Sequence, residues 1–222
     1  MKFYIINGSP RRNYNTAKML ESVKNGISET IKELKPKENV EIKTLNIVSM
    51  NFNGCRSCFN CKKIDGKYYG KCPTKDELTE YLEDIWMSDG IIIGSPIYFG
   101  DVTGQTRNFI ERLLFPKFVY GSDAISPKRM PTGLIFTMNV TKKIYEQAYG
   151  AIPLALSQVM ETVFTKPYIE CAFNTYQFND YSKYENYIFS EEEKRQYRDE
   201  YFPQDLDSAY KMGVKIAEDA LK

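Results

Sequence analysis

The chain has 222 residues, of which 42% are hydrophobic and 27% charged, with a formal net charge of +1. This size and composition predict a single globular domain over residues 1–222 with a substantial core. The near-zero charge gives no sign of nucleic acid or an anionic membrane as partner, and the lack of histidine excludes imidazole bases and His-ligated metal sites.

Strands and helices alternate from the first residues onward. Residues 3–7 are apolar and predict a strand that ends in a Gly-Ser-Pro turn. Apolar side chains then recur at helical spacing from Thr16 until Pro36 ends the helix. Residues 40–45 predict a second strand, which is less buried because charged residues separate its apolar ones.

A long loop over residues 51–73 contains four of the five cysteines. Thr74 and Glu77 follow it in the spacing of a capping box, which predicts that the next helix begins there. The run Gly-Ile-Ile-Ile-Gly at 90–94 is too short for a helix and predicts a central parallel strand buried on both faces. Residues 106–114 predict a further helix.

The second half of the chain continues the alternation. Residues 134–138 and 165–173 predict a fourth and a fifth strand. The stretch between them is helical in composition, but Gly150 and Pro153 predict a break or a kink. The whole pattern predicts an α/β fold with a doubly wound, five-stranded parallel sheet and right-handed crossovers. Such sheets bind ligands at the carboxyl ends of their strands.

An aromatic-rich extension, residues 174–204, follows the fifth strand and precedes the last helix. Eleven aromatic residues lie between Tyr168 and Phe202, more than we expect to stay in water, since each can bury ~150–250 Å². This composition favours a homodimer or homotetramer with Tyr181, Tyr184 and Tyr187 at the contact. The alternative is an excursion that packs on its own chain.

The loop after the first strand has the features of an anion site. It reads Gly-Ser-Pro-Arg-Arg-Asn-Tyr-Asn-Thr from Gly8 to Thr16 and leads into a helix, whose free N–H groups and dipole favour a phosphate. It lacks the Gly-Lys-Ser/Thr ending of a Walker loop and the glycine spacing of a dinucleotide fingerprint. An ordinary capped turn is the alternative.

The loop after the third strand has the composition of a cofactor wall. Pro96 ends the strand, Gly100 and Gly104 allow a flat ligand to approach the backbone, and Tyr98 and Phe99 supply aromatic surface. Aromatic residues that simply cover the sheet edge would have the same composition.

Together, these two loops resemble those of the NADPH-dependent FMN reductases and related flavodoxin-like oxidoreductases. The resemblance extends over about residues 1–140 and includes Phe109-Ile110-Glu111-Arg112 on the following helix. It implies a flavodoxin-like fold, FMN as cofactor and NAD(P)H as electron donor, with hydride transfer at flavin N5 and no catalytic side chain. The residues implied to bind FMN are Ser9, Arg11, Asn15 and Thr16 at the phosphate, Pro96, Ile97, Tyr98, Phe99 and Gly100 at the ring, and Thr137, Met138 and Asn139 completing the pocket.

The cysteine loop resembles that of the iron–sulfur flavoproteins. Cys55, Cys58, Cys61 and Cys72 match a compact motif that binds a [4Fe–4S] cluster, although the ten residues before Cys72 exceed the usual last gap. Zinc bound by four thiolates and free or redox-active thiols remain alternatives.

The resemblance implies an enzyme that passes electrons from NAD(P)H through FMN to a quinone, a flavin or another small acceptor. The alternative is a non-enzymatic electron-transfer flavoprotein that serves a redox partner. A phosphatase on a similar sheet is excluded, because no cysteine is followed six positions later by arginine. We find no long apolar run and no signal-peptide pattern, so we expect a cytoplasmic protein without membrane contact.

Overall fold

The computed structural model describes residues 1–148 and 150–222, which form a parallel sheet with helices on both faces. The strands are β1 (Lys2–Asn7), β2 (Glu41–Asn46), β3 (Gly90–Tyr98), β4 (Asp101–Val102), β5 (Thr132–Thr137) and β6 (Tyr168–Ala172). The sheet order is β2-β1-β3-β5-β6, and all four pairings along it are parallel. This confirms the predicted doubly wound sheet of five parallel strands. The short strand β4 pairs antiparallel with the end of β3.

The helices form two layers because successive residues of each strand point to opposite faces of the sheet. Phe3 and Ile5 pack against the first and last helices, whereas Tyr4 and Ile6 pack against the helices of the other layer. Strand β3 is buried on both faces from Gly90 to Ser95, as expected of a central strand. The helices are α1 (Asn15–Leu34), α2 (Thr79–Trp86), α3 (Gly104–Leu114), α4 (Lys142–Ala148), α5 (Ala151–Val163), α6 (Glu191–Gln196) and α7 (Phe202–Ala220).

The start of α2 differs from the sequence prediction. The helix begins at Thr79, so the capping box at Thr74 and Glu77 does not form. Glu77 instead accepts the backbone N–H of Asn51 at 2.8 Å, and the Thr74 carbonyl accepts the Thr79 hydroxyl at 2.8 Å. The prediction was wrong because the Glu77 carboxylate binds the start of the cysteine loop and the Thr74 carbonyl binds the first residue of the helix.

The predicted break between the fourth and fifth strands is confirmed. Helix α4 ends at Ala148, Gly150 precedes α5, and Pro153 falls in the first turn of α5, where proline is tolerated. Within residues 1–148 and 150–222, no helix combines the length and the apolar character needed to span a membrane.

The aromatic-rich extension packs largely on its own chain. Tyr181 is buried, with ring centroids 5.0 Å from those of Tyr176 and Phe178, so this residue is not available for a subunit contact. Tyr184 stacks on Phe178 at 4.1 Å. Tyr187 stays exposed, and assembly into a dimer or tetramer remains a prediction.

Two glycines allow α1 and α7 to pack backbone against backbone. A Cβ atom at Gly213 would lie 2.1 Å from the carbonyl oxygen of Val23, and one at Gly26 would lie 2.2 Å from that of Tyr210. Both distances are far inside van der Waals contact, and the obstructing atoms are backbone, which cannot rotate away. The two helices therefore need glycine at both positions.

We expect Gly213→Ala to lower the free energy of unfolding by about 1–3 kcal/mol, the usual cost of overpacking. The overpacking outweighs the higher helix propensity of alanine, which by itself would stabilise the helix by ~1 kcal/mol relative to glycine. Urea denaturation measures the change. The matched control is Gly104→Ala, since a Cβ there meets no atom within 4 Å and stability should be kept or raised. Equal stability of the two variants would contradict the packing argument.

Candidate functional site

The loops after β1, β3 and β5 meet in one cleft at the carboxyl edge of the sheet. The strand register brings them together, because Asn7 pairs with Gly94 and Pro96 pairs with Thr137. Ten of the twelve residues predicted to bind the cofactor line this cleft. The lining residues are Ser9, Arg11, Tyr14, Asn15, Thr16, Pro96, Ile97, Tyr98, Thr137, Met138, Asn139, Thr175 and Gln177.

The first loop is held rigidly by hydrogen bonds to the central strand and α3. The N–H of Gly8 donates to the carbonyl of Gly94 at 2.8 Å, and the hydroxyl of Thr103 donates to the Gly8 carbonyl at 2.9 Å. A Cβ at Gly8 would lie 1.9 Å from the Thr106 hydroxyl oxygen, so any larger residue there would displace this hydroxyl. Ser9 is buried beneath this turn.

The N-terminus of α1 opens into the cleft without a capping side chain. Its first N–H groups and the positive end of the helix dipole are therefore available to an anion. Thr16 lies on this first turn, is buried, and shares a 2.7 Å hydrogen bond with Thr137 at the end of β5. This contact fixes the distance between two walls of the cleft.

Residues 174–177, here named the post-β6 segment, form a wall that the sequence did not reveal. Arg11 donates to the carbonyl of Gln177, and the Asn15 side chain donates to the carbonyl of Tyr176 at 3.0 Å. Thr175 and Gln177 line the cleft, as does Tyr14, which lies under the Arg11 guanidinium at 3.9 Å. No motif marks this segment, because its position depends on tertiary packing.

The predicted ring loop forms a tight turn between β3 and β4. Ile97 and Tyr98 line the cleft, whereas Phe99 and Gly100 occupy the turn itself, with φ of 50° and 83°. Positive φ at both central residues is typical of a type I′ hairpin. Phe99 consequently points into solvent and is fully exposed, so it and Gly100 are the two predicted cofactor residues outside the cleft lining.

The cleft has a volume of about 90 Å³, below the ~300–1,000 Å³ usual for ligand pockets. Tyr98, which is half exposed, and the post-β6 segment narrow it. A ligand as large as a flavin would therefore extend beyond the enclosed part of the cleft.

A second pocket, of about 20 Å³, lies against the C-terminal end of α3. Four cysteines, Cys55, Cys58, Cys61 and Cys72, line it together with Arg112. The long gap before Cys72 is closed by a hydrogen bond from the Gly70 N–H to the Cys61 carbonyl at 2.9 Å, which brings Cys72 back to the other three. Among the described residues, no group of three or more Cys, Asp or Glu side chains has the arrangement needed to hold a metal ion.

Helix α3 holds the cysteine loop at both ends. Glu111 accepts the N–H of Cys55 at 3.1 Å. Arg112 is almost fully buried, donates to the Asn53 carbonyl at 2.9 Å and forms a 2.7 Å ion pair with Asp76. Since Asn53 precedes the first cysteine and Asp76 follows the last, one guanidinium fixes both ends of the loop.

Charges of both signs surround the cysteine pocket: Arg112 and Lys62 are positive, and Glu111 and Asp76 are negative. Burial opposes the charge of Arg112, but Asp76 and the nearby Cys72 sulfur hold the pKa of Arg112 above its ordinary value. Burial raises the pKa of the Cys61 thiol, whereas the ammonium of Lys62 opposes this rise. Within the described part of the chain, the buried Nε of Arg112 has no hydrogen-bond partner, so a donor remains free beside the thiols.

The backbone around Cys58 is held in an unfavourable conformation. Ser57 and Phe59 have φ of 52° and 56°, in the left-handed region that non-glycine residues seldom adopt. Such strain, of order 1–3 kcal/mol per residue, is concentrated at functional sites.

The chain is similar in sequence to known proteins. A family model for NADPH-dependent FMN reductases matches residues 1–131. Among curated proteins, an iron–sulfur flavoprotein of Methanocaldococcus jannaschii is 35% identical over 112 residues, 50% of this chain and 51% of that protein. One from Clostridioides difficile is 36% identical over 121 residues, 51% of this chain and 49% of that protein. The chain thus spans about half the length of the curated relatives it matches.

Two solved structures share the fold over nearly the whole chain. An NAD(P)H:quinone oxidoreductase from Methanothermobacter marburgensis has a TM-score of 0.67 at 15% identity and covers 97% of this chain and 96% of its own. An FMN-dependent NADH-azoreductase from Bacillus anthracis, solved with FMN, has a TM-score of 0.64 at 13% identity. The match covers 98% of this chain and 100% of the azoreductase chain. These matches confirm the flavodoxin-like fold.

We expect Arg112→Met to lower the free energy of unfolding at pH 7 by about 3–5 kcal/mol, because Asp76 loses its buried partner. Burial alone would raise the pKa of Asp76, but Arg112 holds it below its ordinary value. The Arg112–Asp76 pair therefore adds its full share to the free energy of unfolding above the unfolded-state pKa of Asp76, about 4. This share is lost as the pH falls through the lower pKa that Asp76 has in the folded protein.

Urea denaturation between pH 3 and pH 7 measures this effect, and the loss should shrink at the acid end. The control is Arg107→Met, whose ion pair with Asp101 is exposed and should contribute under ~1 kcal/mol. Equal losses for the two variants would show that Arg112 does not anchor the loop.

Proposed function

Because this chain belongs to the NADPH-dependent FMN reductase family, we propose that it binds FMN in the cleft and passes electrons from NAD(P)H to a small acceptor. Quinones, free flavins and azo compounds are the acceptor classes we favour. The observation that carries the proposal is the cleft itself, in which ten predicted cofactor residues from three loops meet at the uncapped end of α1.

Two features of the cleft fit FMN. The open N-terminus of α1, with Ser9, Arg11 and Thr16 beside it, suits a single phosphate. At the other end, the side-chain oxygen of Asn139 is buried without a partner in the described part of the chain. An acceptor left unpaired in a buried position is costly, and an N–H group of the cofactor would satisfy it.

Each wall of the cleft has a distinct task in this proposal. Ser9, Arg11, Asn15 and Thr16 would bind the phosphate. The β3–β4 turn, from Pro96 to Gly100, and the end of β5, from Thr137 to Asn139, would hold the ring system. Bound FMN supplies hydride acceptance from a nicotinamide, which needs no protein acid or base, and this agrees with a chain that has no histidine. The protein's own contribution is to orient the ring and to exclude water from it.

The cysteine pocket supports a second electron carrier. The four cysteines line one cavity, and the unpartnered Nε of Arg112 offers a hydrogen bond to an anionic sulfur. We propose that Cys55, Cys58, Cys61 and Cys72 hold a [4Fe–4S] cluster, which supplies one-electron transfer; because the four thiols do not have ligand geometry in this structure, the cysteine loop must rearrange to bind it. The cluster favours a second candidate function, in which the protein delivers electrons to a redox partner protein instead of a small acceptor.

Arg11→Ala should weaken FMN binding by about 1.5–3 kcal/mol, the range for a hydrogen bond to a charged group. Titration of the apoprotein with FMN, followed by flavin fluorescence, measures the change. The control is Arg12→Ala, because Arg12 is exposed and does not line the cleft, and its affinity should stay at the wild-type value. Chromatography of the cofactor released from purified protein should identify FMN; finding FAD, or no binding of FMN, would refute the proposal.

Cys72→Ser should deplete iron and sulfide from anaerobically purified protein while FMN stays bound. Wild-type protein should contain about four iron and four sulfide per chain. Cys171→Ser is the control, since Cys171 lies on β6, outside the cysteine pocket, and should not change the iron content. Anaerobic wild-type protein that contains neither iron nor sulfide would leave the cysteines as thiols or as ligands of another metal.

The acceptor is tested by steady-state oxidation of NADH and NADPH with a quinone, free FMN or an azo dye. Turnover with a small acceptor supports the enzyme. A protein that is reduced by the nicotinamide but turns over only with a redox protein supports the carrier.

A further inference from the structure

Lys194 is an unusual residue, because its charged side chain is almost fully buried. Only 1% of it is exposed, and no ion pair with a carboxylate is found for it among the described residues. A buried ammonium is costly unless hydrogen bonds compensate it. Burial accordingly lowers the pKa of Lys194 to about 8, so its position needs an explanation beyond packing.

The hydrogen bonds of Lys194 join the two loops that close the cofactor cleft. Its Nζ donates to the carbonyl of Asn139, after β5, at 2.9 Å. It also donates to the side chain of Asn174 at 3.0 Å and to the carbonyl of Thr175 at 3.5 Å, both in the post-β6 segment. One ammonium from α6 therefore fixes two loops that come from different strands.

The same two loops are further tied by the backbone. The N–H of Asn174 donates to the Val140 carbonyl at 2.8 Å, and the N–H of Thr175 donates to the Met138 carbonyl at 3.1 Å. Asn174 reaches this position with φ of 46°, a left-handed conformation that asparagine tolerates. The post-β6 segment consequently has a defined conformation as it crosses the cleft.

The post-β6 segment in turn orients the side chains at the phosphate end. Its carbonyls at Tyr176 and Gln177 accept hydrogen bonds from Asn15 and Arg11. Both donors have further N–H groups that these bonds do not use. A side chain held in this way loses less conformational entropy when it binds a ligand.

We propose that Lys194 is a positioning residue for the cofactor phosphate, which acts by fixing the post-β6 segment that orients Arg11 and Asn15. The inference rests on the proposed binding of FMN and adds the residue that organises its phosphate end. It also gives the aromatic-rich extension a task, because α6 lies in that extension and carries Lys194 to the cleft. A buried positive charge beside the cleft would in addition favour an anionic ligand.

The test compares FMN with riboflavin, which has the same ring system and lacks the phosphate. In Lys194→Met, which keeps the side-chain length and removes the charge, the preference for FMN over riboflavin should fall at least tenfold. Fluorescence titration of the apoprotein with each flavin gives this ratio, and a general loss of stability would weaken both ligands without changing it. The matched control is Lys117→Met, since Lys117 is also buried but packs on the Trp86 ring at 4.2 Å, outside the cleft lining. This control should keep the wild-type ratio.

A second variant covers the case in which Lys194→Met does not fold. Asn174→Gly removes one acceptor of Lys194 and keeps a residue that suits positive φ, and the preference for FMN should again fall. An unchanged or increased preference in folded Lys194→Met, or in Asn174→Gly if Lys194→Met is unfolded, overturns the inference. If the wild-type protein does not bind FMN, the proposed function itself fails, so the two failures are distinguishable.

Discussion

The pairing of β3 with β1 on one side and β5 on the other is the constraint on which the rest of the molecule depends. The apolar residues of β3 are buried on both faces of the sheet, so this strand fits only at its centre. In the resulting register, Asn7 pairs with Gly94 and Pro96 pairs with Thr137. The carboxyl ends of β1, β3 and β5 therefore lie at the same edge of the sheet. Ligands of doubly wound sheets bind at this edge. In this protein, the three loops that meet at the edge carry hydrogen-bond donors and aromatic side chains.

Helix α3 connects the two proposed redox sites. At its start, the Thr103 hydroxyl supports the first loop through the Gly8 carbonyl. Two turns later, Glu111 and Arg112 hold the cysteine loop. At 1.5 Å per residue these contacts lie only about 12 Å apart along the helix axis. Because a single helix supports both, a change in the packing of α3 would alter the cleft and the cysteine pocket together.

The aromatic-rich extension packs partly on its own chain, whereas Tyr184 and Tyr187 stay exposed and the subunit contact stays a prediction. Many of its rings pack against one another and against β6 and α7, as in the stack of Phe178 on Tyr184. Within the chain, the Tyr197 hydroxyl donates a hydrogen bond to the Asp205 carboxylate at 2.7 Å. Burial of this carboxylate raises the pKa of Asp205 to about 6. The extension is therefore part of the domain's own structure, and it delivers Lys194 and the post-β6 segment to the cleft.

The sequence by itself determined the alternation of strands and helices and the central position of β3, because both depend on local pattern, and its resemblance to a known family indicated most of the cleft residues. Hydrophobic periodicity identifies the elements, and Gly8 to Thr16 and Pro96 to Gly100 adjoin predicted strand ends. Tertiary structure alone decided the remaining features. Lys194 and Gln177 are far in sequence from the loops they contact, and α2 starts at Thr79 instead of Thr74 because Glu77 binds Asn51, at the start of the cysteine loop. Such contacts leave no periodic signal, since they depend on which distant backbone groups folding brings within hydrogen-bond distance.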